Sequence, residues 1–148
     1  SVPTIARTPL GLGNGRSPAR AGVAGEAHAV TISDTVAAMT RAGVKRLVLV
    51  SAAVLFPEKG LRFAFFRRLL THVMRDLGEA EQIVRATSLD WTIARPPRLI
   101  KRFDESYRST RDALPAGGFS MSFRALAAFM LDAAEHRRHL YEIVGLAS

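Results

Sequence analysis

Lys45-Arg46-Leu47-Val48-Leu49-Val50-Ser51 is the stretch on which the fold turns. Four apolar residues in a row, two of them β-branched, stand between a basic pair and a serine. The run is too short for an ordinary helix, and unbroken apolarity suits a strand covered on both faces. That is what the centre of a parallel sheet looks like, with Ser51 at the carboxyl end. Upstream, Ala29, Val30, Ile32, Val36, Ala37 and Met39 recur at helical spacing and stop at Gly43, a good helix terminator. Downstream, residues 56–60 read as a loop. A second helical stripe then carries Phe65, Phe66, Leu69, Leu70, Val73, Leu77, Ala80, Ile83 and Val84, with Gly78 as an expected break or kink. Trp91-Thr92-Ile93-Ala94-Arg95 is a second short strand, stopped by Pro96-Pro97, which cannot supply ladder donors. Residues 98–118 read as a polar, arginine-rich stretch. Ser122 caps a third helix with Ala125, Leu126, Phe129, Met130 and Ala133 on one face, and residues 141–145 form a last strand. Helix and strand alternate, which predicts α/β layers: a parallel sheet near 46–51, 91–95 and 141–145, joined by right-handed crossovers.

Composition sets the outer limits. The chain has 148 residues, 48% hydrophobic and 23% charged, which suits one domain with one core. Residues 1–25 differ: five glycines, three prolines, three arginines and no acid predict a mostly irregular segment, leaving 26–148 as the folded part. An acid-poor, arginine-bearing start also has the composition of a transit peptide, without its amphipathic helix pattern. The lack of cysteine excludes disulfides, Cys-ligated zinc and a thiol nucleophile. No apolar run approaches the roughly 20 residues a spanning helix needs, so the expectation is a soluble, cytoplasmic protein with no membrane partner. The net charge is +8, and all but Lys45, Lys59 and Lys101 of the 21 basic residues are arginine. That balance suits phosphate or carboxylate partners. Nucleotide bias in the coding sequence explains it equally well.

The chemistry-bearing motifs are mostly negative. Gly11-Leu12-Gly13-Asn14-Gly15-Arg16 approaches the dinucleotide turn G-x-G-x-x-G but puts Arg16 at the third glycine, and reading from Gly13 puts Pro18 there. It reads as a local glycine turn. His136 and His139 could share a helical face for a metal, but nothing completes the site and basic residues suit a helix end, so no metal is expected. Asp76, Glu79 and Glu81 could serve as acid and base, yet Arg75 is adjacent and Arg85 stands four residues after Glu81, so exposed charge pairing explains them. A tyrosine proton donor with a lysine partner is absent, since Arg111 follows Tyr107 at the required spacing. Nucleic acid is disfavoured, because the Arg67-Arg68 and Arg137-Arg138 pairs lack interleaved aromatics. What remains is Ser51 at the carboxyl end of one strand and Pro96-Pro97 at the end of the next. In open α/β sheets ligands bind outside that edge.

Three phrases carry a resemblance: Gly43 to Ala52, Asp76 to Arg85 with Glu81, and Leu89 to Leu99 with Trp91, Arg95, Pro96 and Pro97. Together they resemble the NAD(P)H-binding atypical short-chain dehydrogenase family, with the nearest look to NmrA-like proteins and the biliverdin reductase B (flavin reductase) type. Tyr107-Arg108 and the helix from Ser122 to Leu131 extend the likeness over about residues 33–147, and Leu12-Gly13 looks like the family's Leu-Gly loop. The resemblance implies the carboxyl-terminal portion of a Rossmann-like domain, a partial parallel sheet with flanking helices whose opening βαβ units are missing. It also implies NADP or NAD as cofactor, held by Leu12, Gly13, Ser51, Ala52, Pro96 and Pro97, with Ser51 as the catalytic residue. The partners would be the dinucleotide and a small-molecule acceptor, flavin-like or otherwise conjugated. Two departures stand out: Leu77 occupies the place of the lysine of classical members, and Ser122-Phe123-Arg124-Ala125-Leu126-Ala127 lacks the acid of the family's Ser-Arg-Ala-Asp-Leu-Ala. The first agrees with the reductase branch. A non-catalytic NAD(P)-sensing or protein-binding module of the NmrA type is the alternative, and an inactive fragment the third reading.

Overall fold

The computed structural model describes residues 23–56 and 71–148. Helix α1 (Val23–Ala42) begins three residues before the expected start of the folded part. It ends where Gly43 takes the left-handed conformation (φ +69), with the N–H groups of Gly43 and Val44 closing on the carbonyls of Thr40 and Met39. Strand β1 (Arg46–Val50) follows, then a single 3-10 turn over Ala53–Leu55. Helix α2 (Thr71–Arg85) runs unbroken through Gly78, contrary to the expected kink. Leu77, Ala80, Glu81 and Val84 are at least half-buried along that helix, and such packing outweighs the roughly 1 kcal/mol a helical glycine costs.

Strand β2 (Asp90–Arg95) pairs parallel with β1, from Arg46 opposite Asp90 to Val50 opposite Ala94. Strands β3 (Arg98–Ile100) and β4 (Arg108–Arg111) lie in the polar, arginine-rich stretch 98–118, and β5 (Ser120–Ser122) follows it. They are only three or four residues long, and β4 is exposed throughout, so no period-two pattern marks them. Helix α3 (Phe123–Glu135) starts at Ser122, whose hydroxyl accepts from the Ala125 N–H. Strand β6 (Glu142–Ala147) completes a sheet in the order β1-β2-β6-β4. The first three strands are parallel, as expected, and β4 runs antiparallel on the far edge. A separate parallel ribbon joins β3 to β5.

Alternate side chains feed two cores. Leu47, Leu49, Trp91, Ile93 and Ile143 pack with Ile32 of α1 and Val84 of α2. On the other face Val48, Val50, Ala94, Val144 and Leu146 meet Met121 and the Ala125, Leu126, Phe129 and Ala133 side of α3. Strand β1, expected at the centre, stands at the edge of the described sheet, and all five residues are only half-buried. The Lys45 carbonyl and Ser51 N–H bond β2, so the intervening backbone groups of Arg46, Val48 and Val50 point to the open side.

At the amino end of the strands Arg46 is the hub. Its guanidinium donates to the carbonyls of Asp90, Ala133 and Arg138 and to the Thr92 hydroxyl at 2.7–2.9 Å. Burial, with Arg137 nearby, lowers its pKa. These bonds tie the end of α3 to β1 and β2 at the edge opposite Ser51.

Candidate functional site

Ser51 leaves β1 just as the strand's last bond to β2 forms, its N–H donating to the Ala94 carbonyl at 2.8 Å. Two residues on, the Ala53 N–H reaches the Pro96 carbonyl at 3.0 Å. These bonds bring Ser51, Ala52, Pro96 and Pro97 together at the carboxyl ends of β1 and β2. Ala52 is extended (φ −141, ψ 143) and half-buried, Pro96 is buried, and Pro97 is half-buried. Leu12 and Gly13, the other expected cofactor contacts, lie outside the described residues.

The Ser51 hydroxyl is the polar atom that calls for a partner. The residue is 8% exposed, and its Oγ is buried without a hydrogen-bond partner among the described residues. Such an atom forfeits about 1–3 kcal/mol unless something supplies a bond. A carboxamide, which both donates and accepts, fits a hydroxyl of this kind. The residues present therefore suit the nicotinamide end of a dinucleotide.

A buried ion pair holds the site's floor, and the sequence reading missed it. Glu81 of α2, expected to pair with Arg85 on an exposed face, instead receives both arms of Arg95 at 3.0 and 2.6 Å. The two side chains are 5% and 12% exposed. Arg95 also lies over the Phe56 ring, 4.7 Å from its centre. One guanidinium thus clamps α2, the end of β2 and the turn that follows Ser51. The exposed pairing expected on α2 is made by Arg75 with Glu79. The one sequence signal for the clamp was a carboxylate in helical register with Leu77 and Val84, on the apolar side.

The tyrosines are arranged for structure. Tyr107 donates to Asp132 at 3.3 Å, and burial first, then that carboxylate, pushes its pKa up. Tyr141 donates to Asp90 at 2.8 Å, a bond that raises its pKa as well. Both shifts oppose proton donation, in line with the missing tyrosine–lysine pair. His136 sits just past α3 and pairs with Asp132, while His139 pairs with Glu142. Among the described residues no three side chains form a metal cluster, and no helix is long and apolar enough to cross a membrane.

Comparisons with known proteins bear on this geometry. A search of curated proteins gives no match. Among solved structures, the chain is similar to a short-chain dehydrogenase/reductase from Veillonella parvula in complex with NADP: 20% identity, TM-score 0.70, over 81% of this chain and 58% of that one. It is also similar to a Rossmann-fold NAD(P)-binding family protein from Shigella flexneri, with 23% identity, TM-score 0.63, and 82% and 54% covered. A third is a proposed NADH-flavin reductase from Streptococcus pneumoniae, with 14% identity, TM-score 0.65, and 89% and 69% covered. At such identities the likeness is one of fold, and this chain spans a little over half the length of the first two. A family model for NAD(P)H-binding proteins matches residues 11–137, which takes in Ser51, Pro96 and Pro97. With that match over most of its length, the chain belongs to the NAD(P)H-binding family.

Proposed function

We propose that the chain is the carboxyl-terminal part of an NAD(P)H-dependent reductase that passes hydride to a flavin-like or other conjugated acceptor. The observation that carries this reading is the Ser51 hydroxyl, buried at the carboxyl ends of β1 and β2 with no partner among the described residues. The family match and the fold shared with the NADH-flavin reductase candidate support it. When bound, the nicotinamide would supply a hydride to the acceptor ring, and water the one proton that completes the reduction. The chain's own residues orient the reactants. Ser51 bonds the carboxamide or an acceptor oxygen, and the backbone of Ala52, Pro96 and Pro97 forms the wall that excludes water from one side of the ring. Leu12 and Gly13 are proposed as the remaining cofactor contacts.

A non-catalytic NAD(P)-sensing module of the NmrA type is favoured by one observation, the shift of both tyrosines away from proton donation. Flavin reduction needs no such donor, which is why the reductase reading is preferred. NADPH oxidation followed by absorbance with a flavin acceptor separates the two. Turnover above the protein-free rate is expected; NADPH binding without turnover would assign the sensing role.

A further inference from the structure

Helix α3 carries little polarity on any side. Of its 13 residues only Arg124, Asp132 and Glu135 are charged, and the rest are apolar. A helix that is apolar all round is ordinarily covered all round. The core accounts for one side, where Ala125, Leu126, Phe129 and Ala133 are buried. At about 3.6 residues per turn, Phe123, Ala127, Leu131 and Ala134 share the opposite side within an arc of about 80°. All four are exposed, Phe123 at 54% and Leu131 at 60%. Phe103, 91% exposed and lying against the Arg124 guanidinium, widens the apolar surface at the amino end. Large apolar side chains gathered on one outer face mark an interaction surface.

Charge and shape together choose its occupant. Arg124 and Glu135 lie on the same flank of the stripe, about 20° apart around the axis and about 16 Å apart along it. Glu135 has no cationic partner among the described residues. Arg124 meets Glu105 only at 3.5 Å, with both side chains exposed, and such a pair contributes little. A two-fold axis crossing the helix reverses its direction and keeps its flank. In an antiparallel pair each Arg124 therefore faces Glu135 of the partner subunit. Within a residue of that register, Leu131 lies over Ala127 of the partner subunit and Phe123 over Ala134 of the partner subunit. Large on small lets the two axes approach to helix-packing distance. A lipid surface would instead call for cations along the flank, where this helix carries Asp132 and Glu135.

We propose that the chain self-associates as a two-fold dimer through the outer face of α3, the two helices running antiparallel. The inference does not depend on the reductase reading. A contact about 20 Å long belongs to the small interface class, so the dimer is weak, with Kd on the order of 10–100 µM. Sedimentation velocity of the 148-residue protein, from about 5 to 500 µM, is expected to show monomer giving way to dimer. Leu131→Glu is expected to raise Kd about tenfold or more. Arg124→Glu and Glu135→Arg should each raise it about three- to tenfold, and an equimolar mixture of the two should regain the wild-type value by forming the heterodimer. Both reversals suit the helix dipole, so neither loss would come from unfolding, and circular dichroism checks this for all three variants. A dimer unmoved by Leu131→Glu, or a mixture no better than its components, would overturn the proposal. A chain that stays monomeric throughout would overturn it as well. If that monomer then pelleted with phosphatidylglycerol vesicles, the face would belong to lipid instead.

Discussion

Ser51 and Glu81 show the two ways in which single residues build this site. Ser51 buries a hydroxyl that finds no partner among the described residues, a local cost that a ligand would relieve. Ser51→Ala is therefore expected to stabilise the free protein, by about 1 kcal/mol in urea unfolding, while weakening NADPH by about three- to tenfold. A loss of stability in that variant would mean the hydroxyl has a structural partner. Glu81 is the opposite case, a buried charge fully engaged by Arg95. Glu81→Gln leaves a guanidinium buried without its counter-ion and should cost about 3 kcal/mol in the same assay. Because Arg95 also covers Phe56, NADPH affinity should fall with it. Ser51 was legible in the sequence because a strand's carboxyl end is a local feature of a short apolar run. The Glu81–Arg95 pair was not, since a partner fourteen residues away competes with a well-spaced helical alternative, and only the crossing of α2 over β2 decides between them.

At the scale of elements, the long amphipathic helices and the apolar strands were readable from period and length alone. Strands β3 to β5 were hidden, because three- and four-residue strands with polar faces look like loop. Strand β4 keeps arginines at both of its ends on an exposed edge, which discourages further pairing. Its partner β6 carries Gly145 where a Cβ would overlap the Ala113 carbonyl. Gly145→Ala should push the 113–114 turn off the sheet, lowering stability by about 1–3 kcal/mol and exposing β4 to limited proteolysis. Unchanged stability and an unchanged digestion pattern would show that the turn shifts freely. The amino edge is held partly by charge. Bonds from Tyr141 and then Arg137 hold the Asp90 carboxyl below the ordinary carboxylate range. A depressed pKa contributes stability above the unfolded value of about 3.9 and loses it as pH falls through the folded value. Acid unfolding is thus expected to steepen below about pH 4, and Asp90→Asn to flatten that part of the profile. An identical profile in the variant would remove Asp90 from the explanation.

For the molecule as a whole, the layer order and strand direction follow from the alternation of helix and strand, and these place Ser51 and Pro96–Pro97 at one edge. Less legible was the position of β1. Its apolar run predicts cover on both sides, whereas among the described residues it has a strand neighbour on one side only. The 148 residues contain no G-x-G-x-x-G turn to cradle a pyrophosphate, so weak dinucleotide binding is expected, with the nicotinamide-end contacts orienting the ring more than holding the molecule. The +8 charge adds a background attraction that salt screens. Calorimetric titration of NADPH into the wild-type chain and Ser51→Ala, at low and at moderate salt, tests the nicotinamide site most directly. The expected result is weak, saturable one-to-one binding that survives moderate salt and is weakened about three- to tenfold in the variant. Identical isotherms for the two proteins, or binding that disappears with salt, would contradict it.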